Sequence, residues 1–153
     1  MSRRLLLWLG LVLALGVPSL LVAQKEMLLA RGQPVLLELA PVDPRSLMQG
    51  DYMRLRYALA SRVSGSGRMV IQLDARGVAQ FVRPYEGGQL APGELLLRYR
   101  GGPEGEPRLG AESYFFQEGQ AEHFAAARYG ELRVTPAGDS VLVGLRDADL
   151  GKL

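Results

Sequence analysis

The chain has 153 residues, 48% hydrophobic and 22% charged, which suits one packed domain with an appendage and excludes both a disordered chain and two large domains. It has no cysteine, so disulfides, iron–sulfur clusters, thiolate zinc sites and a cysteine nucleophile are ruled out. The formal charge of +2 comes from Arg3 and Arg4. Setting those two aside leaves 16 Lys and Arg against 16 Asp and Glu, all beyond residue 23. The bases are dispersed, and no run is long enough to neutralise a row of phosphates, so a nucleic-acid partner is not expected.

Residues 5 to 23 carry no charge. As a helix these 19 residues rise about 28 Å, close to the roughly 30 Å of bilayer hydrocarbon. They are apolar all round, whereas a core helix of a small domain shows a polar stripe. A cleaved signal peptide is the rival. Pro18 and Ser19 resemble the break before a cleavage site, but cleavage after Ala23 would put Leu21 where a small residue is preferred. The expected order is a cytoplasmic basic stub at 1–4, a transmembrane anchor at 5–23, a juxtamembrane linker at 24–33 and a domain at 34–153. Arg3 and Arg4 before the helix predict that the domain lies outside the cytoplasm, in the periplasm, with the lipid bilayer as the first partner.

From residue 34 the dominant signal is period-two alternation punctuated by Gly and Pro. Val35, Leu37 and Leu39 share one parity before Pro41 and Pro44. Met53, Leu55, Tyr57 and Leu59 share a face opposite Arg54 and Arg56. Met69, Ile71 and Leu73 lead through the turn Asp74-Ala75-Arg76-Gly77 to a returning strand at 78–83. Leu95, Leu97 and Tyr99 alternate with Leu96, Arg98 and Arg100, and a Gly- and Pro-rich loop follows. Residues 120–129 are Ala-rich and closed by Gly130, predicting a short helix that needs a sheet to lie on. A hairpin turning at Pro136-Ala137-Gly138-Asp139 closes the domain. The expected class is mostly β or α+β: one transmembrane helix, then an antiparallel β-domain of seven or eight strands with one short helix.

The segment Gly50-Asp51-Tyr52-Met53-Arg54-Leu55-Arg56-Tyr57 matches, letter for letter, the pattern that names the GDYXXLXY family of bacterial proteins. Tyr114 to Gly119, including Phe116, Glu118 and Gly119, also resembles that family. So do Arg128, Tyr129, Gly130 and Glu131, and then Arg146 and Asp147. The resemblance implies a small, N-terminally anchored membrane protein that accompanies a larger multi-spanning membrane protein, and it implies no defined chemistry. From the residues themselves, Gly50 suits a tight turn, Asp51 can accept hydrogen bonds from the turn's amides, Leu55 fills a core and Tyr57 packs its ring. The functional alternative is a polar and aromatic surface for a partner, made by Asp51 and Tyr52 with Arg45, Arg54 and Arg56.

Other chemistry closes less well. Arg45 to Asp51 is faintly similar to the Ser-to-Gly-Asp segment of signal peptidases. A Ser/Lys dyad needs a buried lysine, however, and the only lysines are Lys25 and Lys152. His123 is the sole histidine, so a hydrolase would have to pair it with Asp51 or Glu118, and a triad would need Ser113 or Ser140. Glu118 and Glu122 with His123 make at most a weak hard-metal site, and no cofactor or metal is expected. Tyr114, Phe115, Phe116, Phe124 and Tyr129 concentrate around the predicted helix. They read as core, with a hydrophobic docking groove as the alternative; for the domain as a whole, an envelope lipid- or glycan-binding module is the alternative to an accessory protein.

Overall fold

A computed structural model describes residues 3–40, 48–49, 52–102, 105, 107–110 and 112–153. Leu and Ala, which lose little on entering a helix, make most of the first element, α1 (Arg3–Arg31), 29 residues long. From Leu7 to Met27 its described side chains are exposed, and it is long and apolar enough to cross a membrane. It does not stop at residue 23. Residues 24–31, expected as linker, continue the helix, and the last turn lies against the domain with Leu28 buried. Gly32 alone joins the helix to β1 (Gln33–Glu38). Any side chain there would meet the Leu28 carbonyl oxygen at 2.5 Å and the Arg133 Cβ at 2.9 Å, so the junction requires glycine.

The domain follows in chain order. After β1 come β2 (Met48–Gln49), β3 (Tyr52–Arg54) and a 3-10 turn (Ala58–Arg62). Next are β4 (Gly67–Leu73), β5 (Ala79–Pro84), β6 (Glu94–Gly101), β7 (Pro107–Arg108) and β8 (Ser113–Phe115). A helical turn α2 (Ala121–Phe124), β9 (Tyr129–Val134) and β10 (Ser140–Arg146) complete it. Among the described residues the strands make three antiparallel sheets, in the orders β1-β9-β10, β2-β3-β8 and β5-β4-β6-β7. Among the described residues the class is the mostly β, α+β arrangement expected, with an apolar helix in front and a short helical turn within.

The alternation places the core. Val35 and Leu37 of β1, Met69 and Ile71 of β4, Leu97 of β6, Leu132 of β9 and Leu145 of β10 are almost fully buried in one cluster shared by all three sheets. The turn at 74–77 forms as predicted. The Asp74 carboxylate accepts hydrogen bonds from the Arg76 and Val78 amides at 2.8 and 2.9 Å, and Gly77 takes φ +79°.

Two boundaries differ from expectation. The helix predicted over 120–129 is only one turn, because Tyr129 and Gly130 are claimed by β9, where Tyr129 pairs with Glu38 and Gly130 with Leu37. The strand predicted through Leu59 leaves its ladder after Arg54, although Leu55, Tyr57 and Leu59 keep their inward parity and Tyr57 bridges to Leu39.

Candidate functional site

The motif strand divides its residues by parity. Met53, Leu55 and Tyr57 enter the core, at 3, 2 and 4% exposure. Arg54 and Arg56 are exposed and Tyr52 is half-buried. β8 runs antiparallel beside β3 with Tyr52 opposite Phe115, Met53 opposite Tyr114 and Arg54 opposite Ser113. Tyr114 therefore packs inward, while Phe115 is turned out at 74% exposure. Its ring meets Tyr52 at 5.7 Å between centroids, tilted by 40°. The outer face thus joins two aromatic rings to the flanking Arg54 and Arg56. Arg45, Gly50 and Asp51, also expected to contribute, lie outside the described residues, as does Ser46.

Two backbone bonds fix this face to the rest of the domain. Leu55 N–H donates to the Glu112 carbonyl just before β8, and Ala40 N–H donates to the Arg56 carbonyl, both at 2.8 Å. Leu55 anchors the strand and holds the alternating arginines outward.

Tyr57 has a different role. A Cβ added at Gly130 would come within 3.1 Å of the Tyr57 ring and 3.3 Å of its hydroxyl, so the ring lies flush on the β9 backbone. Burial, reinforced by the nearby Glu112 carboxylate, pushes the Tyr57 phenol well above the ordinary tyrosine range and keeps it neutral.

The C-terminal residues that resemble the family gather at one end of the β1-β9-β10 sheet. Arg146 gives Glu131 two contacts on one carboxylate oxygen, Nε at 2.8 Å and Nη2 at 2.7 Å, and donates from Nη1 to the Leu150 carbonyl at 2.9 Å. The Asp147 carboxylate accepts from the Asp149 and Gly151 amides at 2.9 and 2.7 Å, closing the last turn. Arg128 N–H donates to the Arg146 carbonyl at 2.8 Å, and the Arg128 carbonyl accepts from Leu39 N–H at 2.9 Å. Tyr129 lies beneath the Arg76 guanidinium, 5.8 Å from the ring centre. Gly119 takes φ +84° in the turn before α2, and Phe116 stacks on Phe124 at 5.2 Å. These residues tie strands together rather than converging on a cavity.

Among the described residues the hydrolytic candidates do not assemble, Asp51 lying outside them. Glu118, Glu122 and His123 are exposed, and the His123 ring makes an edge contact with Phe124 at 5.0 Å. Among the described residues no hydrogen bond joins His123 to a serine or carboxylate, and Ser140 donates to the Leu109 carbonyl at 3.1 Å. Among the described residues there is also no cluster of three His, Asp or Glu side chains that could hold a metal ion.

The sequence groups Phe115 with the other aromatics, as core or docking groove, without separating its face from theirs, yet consecutive residues of extended chain alternate sides. Tyr114 and Phe116 both reach Phe124, so Phe115 between them must point away.

Helix, sheet order and outward strand face together describe a small β-rich domain carried on a single apolar helix. The family model for the GDYXXLXY protein matches residues 14–145, from within α1 to within β10, and the chain belongs to that family. No curated protein and no solved structure matches it.

Proposed function

We propose that this chain is an accessory protein held in the cytoplasmic membrane by an uncleaved α1, with its domain on the periplasmic side. There it docks onto a larger integral membrane protein through Tyr52, Arg54, Arg56 and Phe115. The observation that carries this reading is the junction at Gly32: with one residue between helix and sheet, the domain has no tether on which to range, and its exposed face serves only partners at the membrane. Arg3 and Arg4 favour the orientation. Aromatic and arginine side chains are the types that dominate interface energetics, and Tyr52 against Phe115 presents a preformed pair.

The test is a photo-crosslinking amino acid placed at position 115 in intact membranes, with position 62 as an exposed control. Position 115 is expected to yield one discrete adduct with an integral membrane protein, lost when Tyr52 and Arg54 are changed to Ala in a chain that still unfolds cooperatively. Adducts at 115 with lipid alone, or equal adducts at both positions, overturn the reading.

A further inference from the structure

A different feature lies where α1 meets the domain, and it does not depend on the partner surface. A cleft of about 730 Å³ opens between the last two turns of α1, the β6-β7 edge and the β9-β10 turn. Its helical wall carries Lys25 and Arg31. Its sheet wall carries Arg98, Arg100 and Arg108. The acids lining it are Glu112 and Asp139, and Asp139 is already paired with Arg98 at 3.1 Å. Among the described residues Lys25, Arg31, Arg100 and Arg108 have no ion pair.

The strand register sharpens this. Arg100 stands directly opposite Arg108 across the β6-β7 pair, and Arg68 directly opposite Arg98 across β4-β6. Like charges in that relation are destabilising; Asp139 already answers Arg98 and Arg68 lies outside the cleft, so the Arg100–Arg108 pair is the cost that an anion bound in the cleft would offset. Position identifies the anion. The apolar run ends at Ala23, and the membrane's polar layer occupies roughly 5–8 Å beyond the hydrocarbon. The segment from Gln24 to Arg31 rises about 12 Å from there, so the helical wall passes through the headgroup layer and just above it.

We propose that this cleft binds the phosphate of an anionic phospholipid headgroup, clamping the domain to the membrane surface. The arginines supply the planar, multidentate donors suited to a phosphodiester, and Lys25 supplies a point charge from the helix. The sequence between β6 and β7 includes Glu104 and Glu106, which lie outside the described residues. If those acids neutralised the arginines instead, the intact protein would not prefer anionic lipid.

The experiment uses the full chain in a neutral detergent, titrated with phosphatidylglycerol or phosphatidylcholine of matched acyl chains and read by native mass spectrometry. Phosphatidylglycerol is expected to bind at least tenfold more tightly. Arg100→Gln with Arg108→Gln should reduce that preference roughly tenfold to thirtyfold. Lys25→Gln on the opposite wall should reduce it less, and Arg62→Gln should leave it intact. Without lipid, the double variant should unfold at the same temperature as the parent or higher, since it relieves a repulsion. Equal affinity for the two lipids, or a preference that survives the double variant, overturns the proposal. Displacement of phosphatidylglycerol by millimolar inorganic phosphate at constant ionic strength also overturns it, assigning the cleft to a soluble anion.

Discussion

Tyr57 and Tyr52 belong to one eight-residue pattern, yet they serve opposite sides of the domain. Tyr57 is buried on the bare backbone of Gly130, the residue before Glu131, which pairs with Arg146. Tyr52 faces outward on β3, against a ring that is three-quarters exposed. The comparison separates two reasons for a residue to belong to a shared pattern. The inward positions and the C-terminal matches hold strands together, while the outward ones form the exposed face proposed above for a partner.

Substitutions can break that contrast. The largest effect is expected from Tyr57→Ala, which removes a buried ring and should cost about 3–5 kcal/mol in denaturant unfolding. Gly130→Val should also destabilise, because the added atoms have no room beside Tyr57 and Leu142. Removing Arg146 strips Glu131 of its charge-assisted bonds. With both groups only partly shielded, Arg146→Ala should cost about 1.5–3 kcal/mol.

An alkaline titration sharpens the same contrast. Because the folded phenol of Tyr57 ionises later than an unfolded one, stability should be intact below about pH 10 and fall as pH rises beyond it. Tyr57→Phe should flatten that decline. The smallest effect is expected on the outer face: Phe115→Ser should shift unfolding by no more than about 1 kcal/mol while abolishing co-purification of the membrane partner from detergent. A large loss of stability there would make Phe115 structural and collapse the distinction.

Much of this was legible in the residues. An uninterrupted apolar run announced α1, and period-two alternation placed Val35, Leu37, Met69, Ile71 and Leu97 inside. Parity alone put Arg54 and Arg56 on a common face with Tyr52. What stayed hidden depends on pairing between distant segments. β2, β7 and β8 are too short to show a period, so neither the Tyr52–Phe115 contact nor the opposition of Arg100 and Arg108 could be read along the chain. Gly130 looked like a helix stop because local composition favoured a helix, and the ladder to β1 overrode it. The helix runs on through residues 24–31 for a similar reason: Lys25 and Glu26 interrupt the apolar run without interrupting helix propensity.

The junction at Gly32 is closely packed. Gly32 is wedged against β9, its amide bonded to Leu28 at 2.8 Å and its carbonyl accepting from Arg133 at 3.3 Å. Helix and sheet therefore move as one lever, and a roll of α1 about its own axis must swing the domain through the same angle. Adding a single residue before Gly32 would re-aim the Tyr52–Phe115 face by about 100°, which makes the length of α1 a setting for the direction in which the molecule looks.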